Sequence, residues 1–182
     1  MTRSKSDGGK IEALPWGQDF DTGIEVIDLQ HRQLVRMLND LIGIIGVDVN
    51  LSKINMILED LTDYAAMHFS TEEMIWHRHI TNDAWERAHQ AEHRSFVEKV
   101  RALRVEQGCR PPQEILEEIT AFLRHWLTLH IIESDKRMAK AVLALSPDVS
   151  LERAKEIANE QMSGAAQAMA DKTKIEYGQS GV

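Results

Sequence analysis

The sequence predicts an all-α fold: an antiparallel up-down four-helix bundle with a mobile N-terminal arm and an additional C-terminal helix. Three observations carry that prediction. Apolar residues recur at steps of three and four along four long stretches, the period of a helix with one buried face. The breaks between the stretches are short and contain Gly, Asn or Pro, so successive helices must turn back on one another. Finally, seven residues of metal-binding type lie on or beside the apolar stripes: His31, His68, Glu72, His89, His93, His130 and Asp135.

Residues 1–13, MTRSKSDGGKIEA, are polar and Gly-rich and are expected to be mobile. Trp16 and Phe20 then open a segment expected to pack across the end of the bundle. The first helix is predicted over 28–45, on the stripe Ile27, His31, Leu34, Leu38, Leu41, Ile45, which points His31 inward. Gly46 and Asn50 interrupt the period. The second helix is predicted over 52–77, with Ile54, Leu58, Leu61, Ala65, His68 and Glu72 on one face. The third is predicted over 83–107, carries His89, His93, Phe96, Val100 and Leu103, and is stopped by Gly108. Pro111 and Pro112 suit the opening of the fourth, which carries Ile115, Ile119, Phe122, Trp126 and His130 and is predicted to continue to 145, before Ser146 and Pro147.

Beyond Pro147, DVSLERAKEIANEQMSGAAQAMADKTK is rich in helix formers, with Ala154, Ala158 and Ala165 in a weak three-four repeat. The segment reads as too polar to join the core. It is expected either to lie on the bundle as an appended helix or to act as a linker that pairs with its copy in a homodimer and leads to an output domain. The chain thus divides into a tail (1–13), a bundle (14–145) and a C-terminal helix or linker (146–182).

Burying carboxylates and several imidazoles in a bundle costs several kcal/mol for each uncompensated charge, so such groups are normally paired, solvated or bound to a cation. No Lys or Arg falls on the stripes to pair them. Imidazole and carboxylate together suit iron, zinc, copper or manganese rather than calcium or magnesium. Five histidines and two carboxylates are too many for one tetrahedral zinc, whereas two metals bridged by the carboxylates fit the inventory. Asp135 is the exception to the periodicity: five residues after His130 on an ideal helix it would be turned about 140° away.

At these residues the chain resembles the bacterial hemerythrins, proteins with a non-haem di-iron centre in a four-helix bundle. The resemblance runs from about residue 14 to residue 145 and is carried by WGQDFDTGIEVIDLQH ending at His31, HFSTEE with His68 and Glu72, HQAEH with His89 and His93, and HIIESD with His130 and Asp135. The motifs are specific together, while one H-x-x-x-H alone would equally suit zinc. The resemblance implies two iron ions in an oxo- or hydroxo-bridged centre. His89, His93 and His130 would hold one iron, His31 and His68 the other, and Glu72 and Asp135 would bridge them. It also implies that the two-histidine iron keeps an open position for dioxygen. Between HFSTEE and HQAEH the family usually carries a Tyr-Pro step where this chain reads MIWHRHITNDAWERA, so the turn there is expected to differ.

Composition sets the outer limits. The chain has 182 residues, 43% of them hydrophobic, enough for one sizeable core. A net charge of −8 and a pI near 5.5 argue against a nucleic-acid surface, which needs a basic stripe. Cys109, the one cysteine, lies in GCRPP and forms no intramolecular disulfide; it reads as an incidental thiol suited to a reducing compartment. The start MTRSKSDGGK lacks the apolar stretch of a signal peptide and the run LIGIIGV is too short to span a bilayer, so no membrane association and a cytoplasmic location are expected.

Reversible dioxygen binding is therefore the expected function, with no chemistry performed on a substrate. The favoured form is an oxygen or redox sensor that signals through the C-terminal helix to an output domain such as a diguanylate cyclase, with nitric oxide as another possible ligand. The alternatives are oxygen storage or delivery and, further off, a di-iron oxidase or peroxidase of the ferritin-like kind, for which only one Glu-x-x-His pair, Glu86 with His89, is present. Trp126, Leu127 and Ile131 are expected to wall the dioxygen pocket. His77, His79 and His125 lack the stripe register and read as surface or supporting groups. Glu73 is expected to turn about 100° away from Glu72 into solvent.

Overall fold

Three of the four stripes become the inner faces of helices, and the fourth does so in part. The computed structural model describes residues 11–47, 50–105 and 110–178, so Cys109 and residues 1–10 of the expected arm lie outside the described residues. The helices are α1 (Glu25–Gly43), α2 (Leu51–His79), α3 (Ala84–Val105), α4 (Pro112–Leu129), α5 (Lys136–Ala144) and α6 (Leu151–Gly178). A π-helical turn, His130–Asp135, joins α4 and α5 into one continuous rod. Rods one to four close into a bundle in which α1 and α3 each touch both α2 and α4, and α6 packs on α5.

The termini of these helices have identifiable causes. Asp28 is buried just inside α1, where one carboxylate oxygen accepts from the Thr22 N–H and the Thr22 hydroxyl, both at 2.7 Å, and the other accepts from the Gly23 N–H at 3.3 Å. Gly23 has φ +87, and a Cβ there would meet the Leu143 side chain at 3.2 Å, so only glycine makes this entry without strain. Asn50 caps α2 by accepting from the Lys53 N–H at 2.9 Å. Between α2 and α3 the chain turns through Asn82 at φ 59, and Glu86 fastens that turn by accepting from the Asn82 N–H at 2.7 Å. The buried Glu86 carboxylate thus closes this connection, with His77 as its other partner.

The main core contains Leu34, Leu38, Leu58, Leu61, Phe96 and Ile119, with Leu14 and Phe20 buried in it and Trp16 half-buried against it. Instead of crossing the end of the bundle as expected, their segment runs alongside α1, with Trp16 beside Arg32 and Leu14 beside Asn39. Asn39 pins that N-terminal segment in both directions: the Leu14 N–H donates to Asn39 Oδ1 at 2.7 Å, and Asn39 Nδ2 donates to the Leu14 carbonyl at 2.9 Å. The fourth stripe needs correcting. Leu116, Ile119, Leu123 and Leu127 are its buried centre, and Phe122 and Trp126 lie half-buried on its flank.

A second core sits beyond the level of the histidines, formed by Ile27, Trp76, Ile80, Met138, Ala139, Ala141 and Ala158. Here α6 departs from the expectation that it is too polar to join a core. Ala154 and Ala158 are both fully buried, because their small side chains let α6 approach α5 closely. Lys155 also ties α6 to the α2–α3 connection, donating to Asp83 at 2.9 Å and lying 5.3 Å from the centre of the Trp85 ring. No described helix is long and apolar enough to cross a membrane.

Candidate metal centre

His31 lies near the start of α1, His68 and Glu72 in the second half of α2, His89 and His93 near the start of α3, and His130 at the end of α4. Only antiparallel rods bring such positions to one level. All seven residues predicted from the sequence are buried there, and Glu72, His31 and Asp135 are fully so. Among the described residues no Lys or Arg is buried beside them.

Asp135 reaches this level because the helix changes type where the ideal period would carry it away. In a π turn the backbone hydrogen bond spans five residues, here from the Lys136 N–H back to the Ile131 carbonyl. One residue more per turn brings Asp135 round to the face that His130 occupies. The turn coincides with HIIESD, the motif on which α-helical spacing fails.

The seven side chains divide into two sets, and each carboxylate divides between them. Glu72 Oε1 lies 3.5 Å from His31 Nε2 and 3.7 Å from His68 Nε2, while its Oε2 lies 3.3 Å from His93 Nε2 and 3.7 Å from His89 Nε2. Asp135 repeats the pattern, with Oδ2 at 3.2 Å from His31 Nε2 and Oδ1 at 2.8 and 3.2 Å from the Nε2 atoms of His89 and His130. His31, His68, Glu72 and Asp135 offer ligand atoms within 4.8 Å of one another, and so do Glu72, His89, His93 and His130.

The outer ring nitrogens decide what the inner ones can do. His93 Nδ1 lies 3.0 Å from Glu73 Oε1, His130 Nδ1 lies 2.8 Å from Glu92 Oε2, and His68 Nδ1 lies 3.0 Å from Gln30 Oε1. These oxygens can each accept from an Nδ1–H, which fixes the ring and turns its Nε2 inward toward the other side chains. The Nε2 atoms of His93 and His130 are 3.0 Å apart. Either a shared proton or a bound cation offsets the repulsion of two nitrogen lone pairs at that distance. Both oxygens of Glu72 and Oδ2 of Asp135 are buried without a hydrogen-bond partner. Unpartnered carboxylate oxygens among imidazoles that converge from four rods fit a metal site better than a hydrogen-bonded core.

Electrostatics follow the same division. Burial works against the charged form of His31, but the adjacent Asp135 and Glu72 carboxylates outweigh it and raise its pKa to about 9. Burial dominates at His68 and lowers it to about 4. Burial and Asp135 push Glu72 upward, yet the surrounding imidazoles hold it below the ordinary carboxylate range. Asp135 is likewise held well below that range, its burial outweighed by His130, His31 and His89.

Glu73 corrects an expectation: it turns back to His93 instead of standing free in solvent. Sequence reasoning missed Gln30 and Glu92 altogether, as well as Phe69, which stacks on the His93 ring at 3.9 Å between centroids. The available signal was adjacency, since Glu73 and Glu92 flank Glu72 and His93, and a ring whose Nε2 points inward needs its Nδ1 partner on the flank of the stripe. His77, His79 and His125 are exposed, with His77 paired to Glu86 at 2.7 Å. Trp126 stacks on the His130 ring at 4.2 Å. With Leu127 it lines a cavity of about 20 Å³, walled only by apolar side chains including Leu34, Leu38, Ala65 and Phe69. Ile131 is fully buried in the same core but does not line that cavity.

The profile of the hemerythrin HHE cation binding domain matches residues 22–142. The chain belongs to the hemerythrin family. It is similar to the bacteriohemerythrin of Pseudomonas aeruginosa, 33% identical over 136 residues that cover 71% of this chain and 81% of that one. It is 27% identical over 126 residues to the bacteriohemerythrin of Clostridium acetobutylicum, with coverage of 66% and 95%. A hemerythrin-like protein of Naegleria gruberi is 26% identical over 122 residues, with coverage of 67% and 87%. The matched region spans all seven clustered residues and ends within α5, while α6 lies outside the match.

The raised pKa of His31 gives a signed prediction for the metal-free protein. A histidine raised from 6.5 to about 9 contributes stability that is complete below pH 6.5 and lost as the pH climbs through 9. Thermal unfolding of metal-free protein is expected to shift to lower temperature between pH 7 and 9. Metal-loaded protein, whose ligands must already be deprotonated, should not lose stability over that interval. A flat metal-free profile would remove the paired-imidazolium description of His31.

Proposed function

We propose that this hemerythrin binds dioxygen reversibly at a di-iron centre and works as an oxygen or redox sensor. The observation that carries the reading is the division of Glu72 and Asp135, each offering one oxygen to His31 and its neighbours and the other to the three-histidine set. His89, His93 and His130 would hold one iron and His31 and His68 the other, with Glu72 and Asp135 placed to offer an oxygen to each side. When bound in the ferrous state, the pair would supply the two electrons that reversible capture of dioxygen requires. The residues supply the rest. The two-histidine side has one fewer imidazole and so leaves room for a ligand. Gln30 orients His68 through its Nδ1, and Glu73 and Glu92 orient His93 and His130, so the Nε2 atoms face the centre before any ion arrives.

The apolar cavity beside Trp126 and Leu127 supports dioxygen as the ligand. At about 20 Å³ it has room for one small molecule, but its walls offer water no hydrogen bond. Residues 14–145 form the oxygen-binding unit and 146–182 the linker. Asp135 opens directly into α5, and α5 is the surface on which Ala154 and Ala158 of α6 are seated. A change at the bridging carboxylate therefore has a direct route to α6 and to an output partner or second copy. Glu86, which the oxidase reading would need at the centre, is engaged in the α2–α3 turn.

Iron content and oxygen response test the site. About two irons per chain are expected, with an absorption change when the reduced protein meets oxygen. His68→Ala and Glu72→Ala should lower iron retention, the second more severely because it removes negative charge that compensates the cations. His77→Ala should match the wild type. Stoichiometric zinc without iron, or loss of iron in His77→Ala but not in His68→Ala, would overturn the assignment.

Hydrogen exchange tests the sensing role. Comparison of reduced and oxidised protein should show changed protection in residues 140–164, because a signal must alter the seating of α6. Changes confined to the surroundings of His31, His68 and Trp126 would leave oxygen storage or delivery as the function.

A further inference from the structure

Glu92 has two partners on the same carboxylate oxygen. His130 Nδ1 donates to Oε2 at 2.8 Å and the Ser134 hydroxyl donates to it at 2.6 Å. The two donors are the first and fifth residues of the π turn, and Glu92 reaches them from α3, a different rod. Glu73 on α2 makes the equivalent contact with His93 but touches no residue of the turn. Gln30, behind His68, offers a neutral amide instead of a charge.

The π turn needs such a restraint. A single π turn inside an α-helix carries an extra residue per turn, and the adjoining α4 and α5 offer the ordinary α-helical pattern as the competing state. If HIIESD relaxed to that pattern, Asp135 would rotate about 140° from His130 and leave the cluster. The hydrogen bonds from His130 and Ser134 to a carboxylate fixed on α3 oppose that rotation, because turning the segment would carry the Ser134 hydroxyl away from its present position against Glu92.

We propose that Glu92 is a positioning residue that holds the π turn and thereby keeps Asp135 facing the metal centre. Its carboxylate acts on the backbone register through Ser134 as well as on the imidazole through His130. The part of the inference that concerns metal retention rests on the proposed function above. The part that concerns the turn does not.

The test therefore starts with metal-free, full-length protein. Amide exchange in residues 131–136 is expected to speed up about tenfold in Glu92→Ala, the change that follows from losing a hydrogen bond to a charged group. Ser134→Ala should give a smaller acceleration, and Glu92→Gln, which keeps an acceptor oxygen, should restore much of the protection. Glu73→Gln should leave the turn unchanged. Should Glu92→Ala fail to fold, Ser134→Ala and Glu92→Gln measured against Glu73→Gln decide the same question.

Loading with ferrous iron without oxygen is the second arm, in which Glu92→Ala should retain metal about 10- to 100-fold less tightly than the wild type. Unchanged exchange in 131–136 in both Glu92 variants and in Ser134→Ala would overturn the proposal, as would an equal loss in Glu73→Gln. If the turn loosens as expected while no variant and no wild-type protein holds iron, the positioning role stands and the di-iron reading falls.

Discussion

Glu72 and Asp135 are carboxylates with no access to solvent, set among five inward imidazoles on four rods, and the rest of the structure is organised around satisfying them. In a low-dielectric core two carboxylates repel each other and each loses its hydration. The histidines offset part of that cost in the metal-free chain, with His31 carrying the proton. Burial holds His68 toward its neutral form, and Gln30, Glu73 and Glu92 fix three of the rings with Nε2 facing the carboxylates. A site that needs positive charge, supplies neutral nitrogen donors and splits both carboxylates between two donor sets has the electrostatic form of a two-cation centre.

That requirement extends outward. Antiparallel rods follow from it, since His31 and His89 lie early in their helices and His68 and His130 lie late. The acids behind His93 and His130 follow from the need to fix ring orientation. The entry to α1 also serves it, because Asp28 locks the Thr22–Gly23 turn three residues before His31. Apolar residues complete the enclosure: Phe69 stacks on His93, Trp126 stacks on His130, and Leu34 and Leu38 wall the neighbouring cavity.

How far the sequence is legible depends on how local each determinant is. The stripes Ile27 to Leu41 and Ile54 to Glu72 appear in the structure as read, because burial on one helix face imposes a period that a single helix displays by itself. Asp135 marks the limit: its α-helical position points away, and only a switch to π geometry, which leaves no mark in hydrophobic period, turns it inward. The fourth stripe was displaced toward Leu123 and Leu127 because large aromatic residues at Phe122 and Trp126 imitate core positions while lying on the flank. Ala154 and Ala158 were underestimated for the opposite reason. Alanine carries little hydropathy, yet its small side chain lets two helices approach. Gln30 and Glu92 were invisible because their partners, His68 and His130, lie 38 residues away in each case.

The central claim is that one chain holds two ions, one on each side of the Glu72 and Asp135 carboxylates. Anomalous diffraction at the iron edge from crystals of the iron-loaded protein tests it most directly. The account predicts two peaks, one against His31 and His68 and one against His89, His93 and His130, with an oxygen of each carboxylate directed to each peak. A single peak shared by all five imidazoles, or two peaks with Asp135 turned away from both, would contradict it.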